Sequence, residues 1–381
     1  MAVVALRGAT VFDGHIRRER CSVLIGDGRI LDVVGNADVP ADALAQDLGG
    51  GLLAPGFVDA QVNGGGGYLL NDGPSADGMA VIAAAHRRFG TTAMLPTLIT
   101  DTPAAVGAAI AAAVEAGRRV PGVIGLHLEG PHLAPARRGA HVAVLMRPLD
   151  EADVDRLVEA RRAIGILVVT LAVEQAPPRL ITRLADGGVV VSLGHSDAGY
   201  DDAMRAIDAG ARMVTHLFNA MSPLGHRAPG LVGAALDAGS VSSGVIADGH
   251  HVHPAAIGAA VRGKRGPGRV FLVTDAMSTV GVEGDRFVLN GRTVVRTGSR
   301  LTLDDGTLAG ADVDMAASVR FAHETVGIAV DDALKMASLY PAEALGGAGG
   351  RGRLAPGSPA DLVHLADDLT VRRSWIAGRS D

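Results

Sequence analysis

The chain has 381 residues, a formal net charge of −6 and a single cysteine, Cys21. One cysteine excludes an internal disulfide framework and fits a reducing compartment, so a cytoplasmic protein is expected. The negative charge and the 3% aromatic content argue against a nucleic-acid partner, and no apolar run reaches the roughly 18–20 residues of a membrane span.

The first 53 residues read as short strands separated by turns: Val3–Leu6, Ala9–Phe12, Cys21–Ile25 and Arg29–Val34. Alternation bounded by turn residues at this spacing predicts antiparallel sheet. Gly49-Gly50-Gly51 is a hinge out of it, and Met1–Arg7 lacks the basic and apolar regions of a signal peptide.

From Pro55 the pattern becomes strand, polar exit, helix, repeated. Strands are expected near 56–62, 92–98, 123–129, 166–173, 189–195, 212–218, 241–247 and 269–275, and helices include 78–89, 103–116, 150–163 and 199–209. Eight such units in roughly 300 residues have the count and length of a (β/α)8 TIM-like barrel, over 54–349. A turn-rich β insertion at about 285–308 interrupts the last unit, and helices follow near 312–326 and 331–345. Gly346–Gly352 is a flexible exit, and Ala360–Leu365 and Leu369–Ile376 are strands again. Residues 1–53 and 350–381 are expected to pair as a small β-sandwich domain beside the barrel.

Four of the barrel strands end on an ionisable residue: strand 3 on Glu129, strand 5 on His195, strand 6 on His216 and strand 8 on Asp275. The C-terminal ends of barrel strands converge on one face, where active sites of this fold lie. Singly, each residue has a structural reading: Glu129 as a loop cap, a histidine as a hydrogen-bonded core residue, Asp275 as a turn cap. Together, each would need its own buried partner, and a shared metal is the simpler reading. Two imidazoles and a carboxylate suit a divalent ion that activates water near neutral pH. Asp275 would then accept the water's proton and deliver it to the leaving group. His141, beyond the Gly130-Pro131 turn, is a candidate donor to a developing oxyanion. The loops Asn219–Arg227 and Asp248–His253 lie on the same face, and their Asn, Arg and His suit a phosphate. Arg137-Arg138 reads as surface charge or a mobile lid.

With these residues in view, the chain resembles the N-acetylglucosamine-6-phosphate deacetylases of the amidohydrolase superfamily. The resemblance rests on Pro55-Gly-Phe-Val-Asp-Ala-Gln61-Val-Asn-Gly64, Gly90–Thr100, Leu126-His-Leu-Glu-Gly-Pro131, Gly194-His195-Ser196 and Thr215-His-Leu-Phe-Asn-Ala-Met-Ser-Pro223. It continues through Ile246–Val252, Leu272-Val-Thr-Asp-Ala276 and Gly306–Gly310, and so spans nearly the whole chain in family order. It implies Glu129, His195 and His216 as ligands of one divalent ion per subunit. Zn2+ is the expected ion, with Fe2+, Co2+ or Mn2+ as alternatives. It further implies Asp275 as acid/base and His141 as carbonyl polariser, with Asn219, Ala220, Arg227 and His251 holding a sugar phosphate. Some phosphate contacts in the family cross a subunit boundary, so a homodimer is expected.

Two departures from the family pattern stand out. Gln61 and Asn63 occupy the positions where many relatives carry His-x-His, which predicts one tightly held metal rather than two. Asp312 and Asp314 follow Gly310 where relatives have other residues; they either open the next helix or alter sugar preference. The expected reaction is hydrolysis of the acetamide of N-acetyl-D-glucosamine 6-phosphate in amino-sugar catabolism. Alternatives are another N-acetylhexosamine 6-phosphate such as the galactosamine epimer, a cyclic amide, or a non-catalytic sugar-phosphate sensor. The 219–227 loop argues against the cyclic amide, and Asp275 with three ligands argues against the sensor.

Overall fold

The structure, a computed structural model, describes residues 3–380; Met1, Ala2 and Asp381, at the outer ends of the expected terminal unit, lie outside the described residues. Eight parallel strands form the central sheet in sequential order. They are β1 (Phe57–Val62), β2 (Thr91–Ile99), β3 (Leu126–Glu129), β4 (Leu167–Leu171), β5 (Val190–Leu193), β6 (Met213–Val214), β7 (Ser242–Ile246) and β8 (Val270–Val273). The barrel closes where Val62 bridges Ala276. The Asp275 N–H donates to Gln61 O at 3.0 Å, and the Thr274 hydroxyl donates to Asp59 at 2.6 Å across the same seam. Asp59 is wholly buried, and burial pushes its carboxyl up to about 7.

Helices cover the outside. Pro103–Arg119 starts on the Thr102 cap with Pro at the first turn, and buries Ala109, Ala112, Ala113 and Ala116 on one face. Glu151–Ile164 starts on a reciprocal Asp150–Asp153 capping box. The strand residues facing these helices, among them Leu128, Val169, Val191 and Leu272, join the main hydrophobic core. Val58, Val168, Phe271 and Val273 belong to a second, smaller core cluster.

The chain ends build two further sheets. One takes Val4–Arg7, Cys21–Gly26, Arg29–Gly35 and Leu44–Asp47. The other interleaves both ends of the chain: Leu52–Pro55 pairs antiparallel with Leu362–Leu365. Leu6, Val23, Ile30, Leu53, Leu362 and Trp375 form the core they share.

The insertion is a three-stranded antiparallel sheet of Arg286–Leu289, Arg292–Thr297 and Arg300–Leu303. Its Leu289, Val294, Leu301 and Leu303 pack with Leu69, Ile99 and Met277, which seats it over the C-terminal end of the barrel. Three elements differ from expectation. Strand 6 is paired only over Met213–Val214, because positive φ at His216 and Phe218 turns the chain out of the sheet. Strand 3 starts at Leu126, after Gly125. The expected helix over 331–345 is two helices, Val330–Ala337 and Leu339–Ala344, broken at Ser338 by non-helical backbone (φ −133°, ψ −71°).

Candidate metal centre and active site

Glu129 ends β3 with its carboxylate buried. His195 and His216 follow β5 and β6, and both are buried. Glu129 Oε1 lies 3.1 Å from His195 Nε2 and 3.0 Å from His216 Nε2, and the two nitrogens are 3.1 Å apart. Ligands of a tetrahedral ion held at about 2.0–2.2 Å stand roughly 3.3 Å from each other, so this spacing is close to what one ion requires. Burial raises the Glu129 pKa, but the two imidazoles against it override this and hold the carboxyl well below its usual range.

The tautomer of His195 agrees with ligation. His195 Nδ1 donates to Arg137 O at 2.7 Å, which leaves Nε2 with its lone pair facing Glu129 and His216. His141 differs. Its Nδ1 accepts the Thr100 backbone N–H at 3.3 Å, so its proton sits on Nε2, 3.9 Å from Glu129 Oε2. Glu129, His141 and His195 also fall within the 4.8 Å span of a possible metal cluster. A protonated Nε2 is a donor rather than a ligand, however, and His216 is the better third member. Burial pushes His141 down to about 3, so it is a neutral donor.

Asp275 faces this group from the end of β8. Its Oδ1 accepts from Gln61 Nε2 at 3.0 Å and from Asn63 Nδ2 at 2.7 Å; Gln61 also donates to Glu129 Oε2 at 3.3 Å. Burial and the neighbouring Glu129 charge push its carboxyl up to about 6. Gln61 and Asn63 therefore act here as amide donors that clamp two carboxylates. In sequence they stand out only as replacements for a His-x-His pair, and their i, i+2 spacing at the end of β1 was the available signal. Thr100, which orients His141, was missed because nothing local marks it.

These groups surround a cavity of about 360 Å³ lined by Glu129, His141, His195, His216, Asn219, Ala220, His251 and Asp275, among others. Its far wall includes Leu289, Thr307 and Leu308, which the inserted sheet and the segment after it supply. His251 Nδ1 is bound to Asp248 Oδ2 at 2.6 Å, and Asp248 Oδ1 accepts the backbone N–H groups of His250 and His251. Arg227 does not line this cavity; it lies exposed on the loop beyond Ala220. Asp312 and Asp314 also stay out. Asp312 pairs with Arg296 at 2.6 Å and accepts from Thr279, while Asp314 caps the helix Met315–Glu324.

His195, His216, Phe218, Ala220 and Asp275 all have positive φ. Non-glycine residues in this region cost about 1–3 kcal/mol each and cluster where function requires them. Five of the eleven such residues among the described residues sit at the strand exits that carry the candidate site.

The comparisons with known proteins agree with this geometry. The Amidohydrolase family matches residues 52–380. An N-acetylgalactosamine-6-phosphate deacetylase of Shewanella sp. (strain ANA-3) is 42% identical over 374 residues, covering 97% of this chain and 94% of that protein. An N-acetylglucosamine-6-phosphate deacetylase of Danio rerio is 37% identical over 340 residues, covering 86% and 84%. The crystal structure of N-acetylglucosamine-6-phosphate deacetylase from Pasteurella multocida superposes with a TM-score of 0.95 at 32% identity, covering 100% of this chain and 99% of that one. Among the described residues no helix is long and apolar enough to cross a membrane. With a parallel eight-stranded barrel, a buried Glu-His-His group at its strand ends and a family match over most of its length, the chain belongs to the amidohydrolase family and is a hydrolase.

Proposed function

We propose that this hydrolase removes the acetyl group from an N-acetylhexosamine 6-phosphate, with N-acetyl-D-glucosamine 6-phosphate as its substrate. The observation that carries the reading is Glu129 Oε1 within 3.1 Å of both His195 Nε2 and His216 Nε2, in a cavity that Asp275 and His141 share. Glu129, His195 and His216 would hold one divalent ion, Zn2+ by donor type. When bound, the ion supplies a Lewis acid that activates water.

The remaining steps belong to the chain's own residues. His141, neutral and with its proton on Nε2, would donate to the acetamide oxygen as charge develops there. Asp275, with Oδ1 clamped by Gln61 and Asn63, would use Oδ2 to take the water's proton and return it to the departing nitrogen. The Ala220 backbone N–H, Asn219 and His251 would take the phosphate, with Arg227 joining from the adjacent subunit of a homodimer. Arg227's exposure beyond the cavity fits that arrangement. We read residues 1–53 with 350–381 as a β-sandwich domain supporting a catalytic barrel of 54–349, in a cytoplasmic enzyme.

One observation favours a second reading, N-acetyl-D-galactosamine 6-phosphate as substrate: the Shewanella relative that bears this activity is 42% identical to the chain, against 37% for the Danio rerio protein. Steady-state kinetics on the two epimers decides between them. A higher kcat/KM for the glucosamine compound supports the first reading, and a tenfold preference for the galactosamine compound replaces it with the second.

A further inference from the structure

The loop between β3 and the helix Glu151–Ile164 is bonded to His195 twice and to Asp197 once. The Ala134 N–H donates to His195 O at 3.0 Å, and His195 Nδ1 donates to Arg137 O at 2.7 Å. The Arg137 guanidinium pairs with Asp197, two residues past His195, through Nε at 2.8 Å and Nη2 at 2.6 Å. Asp197 is itself anchored: Glu174 accepts its backbone N–H at 2.5 Å and the Ser196 hydroxyl at 2.6 Å. Ala136, Arg137, Gly139, Ala140 and His141 of the same loop then line the cavity. One short segment thus sets both the orientation of a proposed metal ligand and the position of the proposed carbonyl donor.

We infer that Arg137 and Asp197 are positioning residues that couple metal affinity to the order of the 134–141 loop. The inference rests on the metal-centre reading given above. The ion pair is half-exposed, at 34% and 51% side-chain accessibility, and by itself contributes little to stability. Its leverage comes from where it acts. It fixes the Arg137 peptide whose carbonyl receives the His195 ring proton, and such outer partners set the tautomer and basicity of a ligating imidazole. By linkage, a loop that raises metal affinity by some factor is ordered by the metal to the same factor. A bound ion would therefore hold His141 in place, and the empty centre would release it.

The test measures Zn2+ affinity of the purified full-length protein by chelator competition, for wild type, Arg137→Ala, Asp197→Ala, the double variant and Arg137→Lys. The expected result is a loss of about tenfold in each alanine variant. The double variant should lose no more than either single one, and Arg137→Lys should recover most of the loss. The melting temperature of the metal-free proteins should be unchanged, which a merely structural role would shift. In parallel, trypsin cleavage after Arg138 should be slowed by Zn2+ in wild type and far less in Asp197→Ala. If wild type binds Zn2+ and the variants match it, with cleavage indifferent to the ion, the coupling is overturned while the metal centre stands. If wild type binds no Zn2+, the metal-centre reading falls and takes the coupling with it.

Discussion

The centre of the site and its rim are built on different principles. At the centre, Glu129, His141 and Asp275 are buried, and each is held by named partners on neighbouring strands or loops: Gln61, Asn63, Thr100, His195 and His216. At the rim, Asn219 donates weakly to the carbonyls of His216 and Leu217, and Arg227 stands exposed outside the cavity. The contacts of the centre all lie within one chain. The rim leaves its strongest cation unplaced. In the proposed reading Glu129 and Asp275 sit at strand ends and His141 on a loop tied to Thr100, while the residues proposed for recognition lie on looser loops.

The largest effect should come from breaking the centre. Asp275→Asn keeps the shape and the amide contacts but removes the proton acceptor. It should lower kcat by roughly 10²–10⁴-fold, with metal content by elemental analysis unchanged; loss of metal would instead make Asp275 a ligand. His216→Ala removes one of three proposed ligands, and Zn2+ affinity should fall by more than about 100-fold. Retained affinity would transfer the third position to His141, the other histidine within the cluster span.

The centre's support should show itself in acid. His86 is wholly buried and donates from Nε2 to Gly64 O at 2.9 Å, beside the residues that follow Asn63. Burial depresses its pKa from 6.5 to about 4. The folded state therefore holds it neutral while the unfolded chain takes up a proton, and stability falls as pH drops from 6.5 towards 4. Between pH 6.5 and pH 5 this contributes on the order of 2 kcal/mol. His86→Leu should be less stable at pH 7, since Gly64 O loses its donor, but its unfolding free energy should fall less steeply over that interval. An unchanged pH slope would show that His86 titrates alike in the folded and unfolded protein.

The rim should give the smallest effect and the sharpest contrast. Arg227→Ala should raise KM for the phosphorylated sugar by about tenfold, as for one partly solvated charge-assisted contact, and leave kcat alone. Mixing Arg227→Ala with Asp275→Asn subunits should restore low-KM turnover, because a hybrid dimer would hold one site with both residues intact. Absence of complementation would place Arg227 outside the partner's site.

How much of this was legible in the sequence follows the same division. The barrel and its four chemical strand ends could be read because each residue closes an apolar run and the fold brings those ends together. The clamp of Gln61 and Asn63 on Asp275 could not, since it crosses the β1–β8 seam between residues 212 and 214 positions apart. The far wall from Leu289 and Leu308 was equally hidden, because it depends on how the inserted sheet folds back through its own small core. The break at Ser338 follows from Pro341, which has no N–H to give the Ala337 carbonyl and whose ring crowds it, a local signal that the expectation of one helix over 331–345 passed over. Asp312 and Asp314 were recognised as unusual, but only the contacts to Arg296 and Ala317 decide that they serve the inserted sheet and a helix cap.

The most direct test of the central claim is acetate release from N-acetylglucosamine 6-phosphate and from N-acetylgalactosamine 6-phosphate, each beside its unphosphorylated sugar. The assay uses Zn2+-loaded protein and the same protein stripped by chelator. The account predicts turnover of a phosphorylated sugar by the loaded protein, loss on stripping, recovery on adding Zn2+ back, and little release from the free sugars. Acetate release that survives complete stripping, or a loaded protein that binds the phosphorylated sugars and turns over neither, would contradict it.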